Sequence, residues 1–469
     1  MAAISTVAAQ QLMRTMTLIV CALTVAIGIS TARADSPNIN PNNLPTGNTT
    51  SAPAAAPGPA VPQFGNGWFG NSWINPDKWP SDLQWLNPNT WPFTLIPLPI
   101  VETDPNQGTT IGILPVCLFN DSNHHIQNIL APDVNYNTEL GAGADFRFLS
   151  YPSADTQWYV ISGFSQNIAR HVDLRYETGR TRQTWWSFEG RLFFERDPTE
   201  RFFGLGNNSS ESTESNYTTE QLYGEATLGL NLSKEFQIAL QERPRYVRIQ
   251  RGALSDLPYI GTLFPTVKGL NGGSEVMNRL IASYDTRDSV DIPTSGGLAV
   301  LFAGLVDRRF GSSVSYDQIG GELRHYFPLS SRLILATHFY MQYTPAGNET
   351  PFWAMARLGG EESIMASQET LRGYGVGRYV DNNLSVGNIE LRTRVYETVI
   401  FDTHGILELA PFGDIGRVFH NPDTNPFFDL HPVGGLGVRA IADPFVVGYI
   451  DFGLGSEGGS VFTGIDYPF

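Results

Sequence analysis

The residues best placed to do chemistry are an arginine in a glycine-rich run and two acids on the segments that follow it. Arg372 stands within residues 371 to 379, which are predicted to form a loop between strands. A buried arginine needs an acid to receive its charge. Glu390 lies on the next predicted strand and Asp414 on the one after it. Either carboxylate can accept a bidentate hydrogen bond from Arg372, so the pattern predicts a loop held by an ion pair.

The neighbours of Asp414 favour the same interpretation. Phe412, Asp414 and Gly416 alternate along one predicted strand and therefore share a face, because successive side chains of a strand point to opposite faces. None of the glycines Gly373, Gly413 and Gly416 carries a Cβ, so the backbone of the loop can approach the strand closely at these positions. The predicted site is thus a packed contact between a loop and a strand.

The sequence contains no motif for catalysis or metal binding that we recognise. It has neither a His-Glu-x-x-His zinc motif nor a Gly-x-Ser-x-Gly nucleophile turn. His124 and His125 stand in a polar segment and are interpreted as solvated. We therefore predict no catalytic residue, no metal site and no cofactor, and the protein is not expected to be an enzyme. A lumenal hydrolase, with its nucleophile and histidine on different strands, is a third hypothesis without positive support.

Composition limits the fold that must position these residues. The chain has 469 residues, of which 47 are glycine, 12% are aromatic and only 16% are charged. The charged share lies below the roughly 25% that is typical of soluble domains, and the glycine content excludes a long helical protein. Past the N-terminus no run of about 20 apolar residues predicts a membrane helix. The net charge of -16 argues against binding to nucleic acid, whose phosphates would be repelled.

The N-terminal residues indicate export. Residues 1–34 carry Arg14, an apolar stretch and the small-residue site Ala32-Arg33-Ala34, and they are predicted to be a cleaved signal peptide. A lipoprotein cysteine at Cys21 is disfavoured because Val20 precedes it. Without this segment Cys117 stands alone, which excludes an intramolecular disulfide.

A periplasmic linker or cap is predicted for residues 35–92. Its first part is rich in Pro, Asn and Ser and has almost no charge, as in disordered linkers. Five tryptophans follow at intervals that fit neither a helix nor a strand face: Trp68, Trp73, Trp79, Trp85 and Trp91. Two interpretations stay open, a stretch along a bilayer or inside a pore, and a packed irregular cap.

From residue 93 to residue 469 the hydrophobic pattern has a period of two, which predicts an all-β domain. Leu228 and Leu230 alternate with polar residues, and elsewhere charges of both signs share a face that carries nothing apolar. A dry core would not tolerate these charges, whereas a membrane barrel with a wet lumen would. We predict a transmembrane antiparallel β-barrel of roughly sixteen strands.

The last residues also alternate. Phe469, Tyr467, Ile465 and Val461 are predicted to share one face of the final strand. A terminal aromatic residue on such a strand resembles the C-terminal signal of bacterial outer-membrane barrels.

The sequence as a whole resembles the BamA/TamA superfamily of outer-membrane insertases and two-partner secretion transporters, of the bacterial surface antigen type. Arg372-Gly373-Tyr374 is similar to the family's Arg-Gly-aromatic loop tip, and residues 387–390 and the Phe412-x-Asp414-x-Gly416 run are similar to its strand motifs. Weaker similarities lie at residues 203–207 and 284–288, the latter followed by Pro293 and Gly296.

The resemblance implies an outer-membrane barrel with an inward-folded loop, in which Arg372 pairs with Glu390 and Asp414. It further implies a role in outer-membrane protein assembly or export, with membrane lipid and unfolded proteins as partners. The contact of Arg372 and its neighbours with these acids is here called the lock. Two interpretations of it stay open: it stiffens the barrel, or it takes part in transport. A passive pore or structural barrel is the alternative function.

Two features modify that expectation. Family members that handle polypeptides usually carry periplasmic POTRA domains before the barrel, and residues 35–92 leave no room for one. The resemblance is therefore to a short, barrel-only member, and whether a separate periplasmic partner supplies the missing domains stays open. Pro97 and Pro99 fall in the first predicted strand, Pro115 in the second and Pro468 in the last. Because proline donates no ladder hydrogen bond, we predict a weak seam that opens sideways as a lateral gate.

Overall fold

Most of the chain is described by a computed structural model, which covers residue 81 and residues 93–104, 108–121, 126–345, 349–360, 370–400, 403–421, 423–442 and 446–469. The chain divides at Thr94, and nearly all described residues belong to the second unit, Leu95–Phe469. The predicted signal peptide, nearly all of the predicted linker or cap, and both His124 and His125 lie outside the described residues.

Strands dominate the second unit because its sequence alternates between apolar and polar residues. The strands in chain order are β1 Thr94–Asp104, β2 Gly108–Asn120, β3 Ile126–Leu130, β4 Asp133–Asn137, β5 Gly141–Ser153, β6 Thr156–Ser165, β7 Arg170–Thr178, β8 Trp186–Phe202, β9 Ser215–Asn231, β10 Phe236–Arg251, β11 Gly273–Asp285, β12 Gly296–Val306, β13 Tyr316–Ser330, β14 Leu333–Tyr343, β15 Ala356–Leu358, β16 Tyr379–Asp381, β17 Asn383–Ile400, β18 Thr403–Phe419, β19 His431–Ala442, β20 Val446–Gly455 and β21 Gly458–Ile465.

These strands form a closed antiparallel barrel. All except β15 and β16 belong to one sheet, in which β21 pairs with β1 through Thr103 opposite Val461. Both β3 and β4 pair with β2 on one side and β5 on the other, so these two short strands together count as one strand of the barrel. The barrel therefore has eighteen strands among the described residues, two more than the sequence predicted. The prediction fell short because it allowed for longer loops, whereas β20 and β21 are joined by residues 456 and 457 alone.

The apolar face and the charged face predicted from the sequence are the outer and the inner face of the barrel wall. On β9, Leu228 and Leu230 are exposed on the outside, in agreement with a lipid-facing row. The inner wall carries ion pairs, for example Arg191 with Asp173 at 2.8 Å. In such a pair the opposite charge offsets the loss of hydration of each buried group.

Helical structure is short. Within the described residues, the α-helix α1 spans Ile260–Leu263, and 3₁₀ turns span Glu211–Thr213, Arg308–Phe310 and Phe352–Ala354. None of the helices in the described part of the chain is long and apolar enough to cross a membrane.

The chain end differs from the prediction. Strand β21 stops at Ile465, so Pro468 and Phe469 lie beyond it and not on its face. Asp466 has a positive φ of 77°, which turns the backbone away from the strand. Phe469 is then buried with Tyr326, Ile334 and Ala336, and its ring stacks on His338 at 5.3 Å between centroids. The physical reason is that an aromatic side chain gains more from this interior packing than from extending the ladder.

Candidate functional site

The connection between β14 and β17 turns back into the barrel. Its short strands β15 and β16 pair with each other, and Leu358, Leu371 and Tyr379 are buried in it. They pack against Val386 and Phe412 of the barrel wall in one apolar cluster. Burial of these side chains holds the loop inside the barrel and brings Arg372 to the wall.

Arg372 is fully buried and binds three carboxylates. Its Nε and Nη2 donate to the two oxygens of Asp414 at 2.9 and 2.8 Å, and its backbone N–H donates to Asp414 at 3.1 Å. Its Nη1 donates to Glu390 at 2.5 Å and to Asp451 at 2.7 Å. The structure therefore brings together the three residues singled out in the sequence and adds a third acid.

Two further arginines complete the cluster. Arg439 donates to Glu390 at 3.0 Å and to both oxygens of Asp451, and Arg392 donates to Glu390 at 2.8 Å. Arg372, Arg392 and Arg439 thus face three acids, and all six side chains are fully buried. Formal charges balance, which is the condition under which a buried ionic network is tolerated.

Asp451 and Arg439 were missed by the sequence analysis. Asp451 on β20 and Arg439 on β19 both point into the barrel. The alternation of inward and outward residues along each strand is the only signal that the sequence offers for them. Their proximity to Arg372 depends on where the loop enters the barrel, which no local pattern specifies.

The remaining residues of the predicted lock also meet here. The guanidinium carbon of Arg372 lies 3.6 Å from the centre of the Phe412 ring, a cation–π contact. Tyr374 is buried, and its hydroxyl lies 2.9 Å from the Ser456 hydroxyl in the turn between β20 and β21. Gly373 is required by close backbone approach, since a Cβ there would lie 2.5 Å from the Gly455 nitrogen. Gly416 adjoins the loop as well, because a Cβ there would lie 3.0 Å from the Leu358 side chain.

A second ion pair joins the inward-folded loop to the hairpin of β20 and β21. Arg378 donates to Glu457 through Nε at 2.6 Å and Nη2 at 2.7 Å, and also binds the hydroxyl and carbonyl of Ser209. Its guanidinium lies between the rings of Phe203 and Tyr379. Burial and then the Glu457 carboxylate raise the pKa of Tyr379 above its ordinary value. The sequence analysis assigned no role to Arg378.

The two weaker motifs form turns. The Asn207 side chain donates to the Asp429 carbonyl at 2.7 Å and accepts from the Val418 N–H at 3.1 Å, so it joins two connections at one end of the barrel. In the other motif Arg287 binds Asp285 at 2.7 Å, and Asp288 accepts hydrogen bonds within its own turn. Within the described residues, no group of three His, Cys, Asp or Glu side chains could hold a metal ion.

The predicted seam residues lie partly where expected. Pro97 and Pro99 stand on β1 and are exposed, on the same strand that pairs with β21 through Thr103. Pro468 belongs to the segment that follows β21 and contributes nothing to this ladder.

Residues 156–440 match the family model of the Omp85 superfamily domain. The chain belongs to the Omp85 superfamily. This confirms the resemblance inferred from the loop and strand motifs, and the protein is an outer-membrane β-barrel. No curated protein matches the sequence at a significant level.

The chain is also similar to solved structures. One is BamA from Haemophilus ducreyi lacking POTRA domains 1-3, with 16% identity, a TM-score of 0.46, and coverage of 82% of this chain and 76% of that one. CdiB from Escherichia coli has 11% identity, a TM-score of 0.43, and coverage of 80% and 62%. CdiB from Acinetobacter baumannii has 11% identity, a TM-score of 0.40, and coverage of 80% and 59%. The chain thus spans about three fifths of each CdiB structure.

Proposed function

We propose that this Omp85-superfamily barrel assembles or exports proteins at the outer membrane by opening between β1 and β21. The observation that carries the proposal is the pairing at this seam. Among the described residues β1 meets β21 at the single pair Thr103–Val461. By contrast, the neighbouring β20 and β21 pair without interruption from Gly448–Ile465 to Gly455–Gly458.

The energetic consequence is local. Each net hydrogen bond of a ladder contributes about 0.5–1.5 kcal/mol, so the seam costs less to open than any fully paired neighbour. Pro97 and Pro99 cannot donate to a ladder on either side of β1. An open seam offers two unpaired strand edges to which an extended client segment can add. This work needs no catalytic residue and no cofactor.

The Arg372 cluster supports the wall beside the seam. It connects the loop to Glu390 on β17, Asp414 on β18 and Asp451 on β20, and β20 is the partner of β21. A buried ionic network of this kind holds its strands in one arrangement. In the proposed mechanism the cluster keeps β17–β20 fixed while β1 separates from β21.

The expected clients are polypeptides that present unpaired strands, that is, unfolded outer-membrane or exported proteins. A separate periplasmic partner would deliver them. The wall itself contacts outer-membrane lipid through its outward apolar rows.

The test compares outer-membrane proteomes of cells with and without the protein, with transcript levels as control. Loss of particular barrel or surface proteins at constant transcript supports the proposal and identifies the clients. A disulfide between Thr103→Cys and Val461→Cys, in a Cys117→Ser background, should abolish the activity until it is reduced. A disulfide between Ser283→Cys and Val300→Cys, opposite each other on β11 and β12, is the matched control and should have no effect.

Two results would contradict the proposal: an unchanged membrane proteome, or full activity with the seam crosslinked. An unchanged proteome together with large, steady conductance in planar bilayers would support the passive pore in its place.

A further inference from the structure

The connection between β18 and β19 lies on the outer wall of the barrel. Residues 423–430 of this connection are here called the hook. Ser385 on β17 and Arg417 on β18 are opposite each other and point outward, as does the exposed Ile415 two residues before Arg417. The Ser385 hydroxyl donates to the Pro426 carbonyl at 2.5 Å, so the hook covers an outward position.

The hook reaches well down the wall. The ring of Phe427 lies 6.0 Å from the ring of Phe339. Phe339 is an outward residue of β14, opposite Gly387, and β14 ends at Tyr343. At roughly 3.3 Å per residue, Phe339 stands about 13 Å from the end of its strand. The hook therefore extends over part of the surface that faces the membrane.

A buried arginine holds the hook in place. Arg417 donates through Nη1 to the Asn425 carbonyl at 3.2 Å and to the Phe428 carbonyl, and it is only 8% exposed. An arginine without polar partners on the lipid-facing wall of a barrel is destabilising. The backbone of the hook supplies the polar partners that lipid cannot supply.

Two adjacent apolar side chains of the hook are uncovered. Phe427 is 61% exposed and Phe428 is 72% exposed. Two adjacent phenylalanines facing water would be unfavourable, whereas the same pair is favourable against acyl chains. A shallow apolar groove of about 320 Å³ lies on the same wall, formed by Leu301, Ile319, Gly321, Met341 and Tyr343 among others, and Met341 stands two residues after Phe339 on β14.

We infer that the hook is a lipid-binding surface, whose Phe427 and Phe428 insert among the acyl chains of the membrane leaflet at this end of the barrel. The occupant is lipid because the hook is continuous with the outward apolar rows that already face the bilayer. The inference is independent of the proposed transport function, since it concerns only how the barrel sits in its membrane.

The test places a fluorescent label on the hook in phosphatidylcholine vesicles. Phe428→Cys, in a Cys117→Ser background, is labelled with a polarity-sensitive dye. Quenching is measured with lipids that carry a doxyl group on the acyl chain and with iodide in the buffer. The label on Leu301→Cys, 69% exposed on the outer wall, is the lipid reference. The label on Arg309→Cys, whose side chain is 84% exposed in the connection between β12 and β13, is the water reference at the same end of the barrel.

We expect blue-shifted emission at position 428 and quenching by the doxyl lipid comparable to that at position 301. Phe427→Cys should behave in the same way, which guards against a disturbance caused by one label. Quenching by iodide as strong as at position 309 would overturn the inference. Protection from both quenchers would overturn it as well, because it would mean that protein covers the hook.

Discussion

Removing Arg372 is the most informative perturbation, because its partners are known atom by atom. The Arg372→Ala variant loses four side-chain hydrogen bonds, two to Asp414 and one each to Glu390 and Asp451, and keeps the backbone contact to Asp414 at 3.1 Å. Glu390 and Asp451 keep Arg439, whereas Asp414 has Arg372 as its described side-chain partner.

The expected loss follows from the charge left behind. Breaking a buried ion pair by removing one partner costs about 3–5 kcal/mol, because the other charge stays buried without compensation. Here that charge is Asp414, which is fully buried. Adding Asp414→Asn to Arg372→Ala should recover about 0.5–3 kcal/mol, the usual range of coupling between residues in one network. Arg372→Lys keeps the charge but loses the bidentate geometry, and it should fall between wild type and Arg372→Ala.

The assay is urea unfolding of the purified barrel in detergent micelles, followed by tryptophan fluorescence, with protease cleavage of the loop as a local readout. Arg309→Ala is the control, since Arg309 forms an exposed ion pair with Asp307, and exposed pairs contribute little to stability. The reasoning is refuted if Arg372→Ala loses no more stability than Arg309→Ala, or if Asp414→Asn brings no recovery. In planar bilayers, Arg372→Ala should also enlarge the conductance, because the loop that occupies the lumen is released.

Three further predictions concern the loop and the turns. Gly453→Ala would place a Cβ 1.8 Å from a carbonyl oxygen of the loop tip, so urea unfolding should show a loss of about 1–3 kcal/mol, whereas Gly434→Ala, with nothing within 4 Å, should be nearly neutral. Glu457→Ala removes the bidentate partner of Arg378 and should cost about 1.5–3 kcal/mol, with faster protease cleavage of the loop; unchanged cleavage would contradict a fastening role. Burial by itself would raise the pKa of Asp288, but hydrogen bonds within its turn outweigh it and lower the pKa. Its stabilisation is therefore present above about pH 4 and lost as the pH falls further, so the stability difference between wild type and Asp288→Asn should shrink between pH 7 and pH 3. A difference that stays constant over this range would refute the assignment.

Alternation in the sequence was enough to predict the barrel and its faces. The rows around Leu228 on the outside and the charged rows on the inside follow from a period of two, which any strand in lipid must show. The predicted strand count was two too low, because the alternating pattern does not mark where a strand ends and a turn begins.

The sequence also identified the three residues at the centre of the candidate site. Arg372, Glu390 and Asp414 were found because a buried loop arginine needs an acid, and these two acids lie on the two predicted strands that follow the loop. Asp451 and Arg439 were missed, since inward charges of both signs occur on most strands and nothing local says which of them meet.

By itself the sequence determined the class of fold, the two faces of the wall and the chemistry of the loop arginine, because these depend on residue type and on spacing along the chain. Tertiary structure alone decided which acids surround Arg372, where the residues after β21 pack, and that the hook lies against the outer wall. Those contacts join residues far apart in the chain, and their partners are set by barrel closure and by the path of the loops.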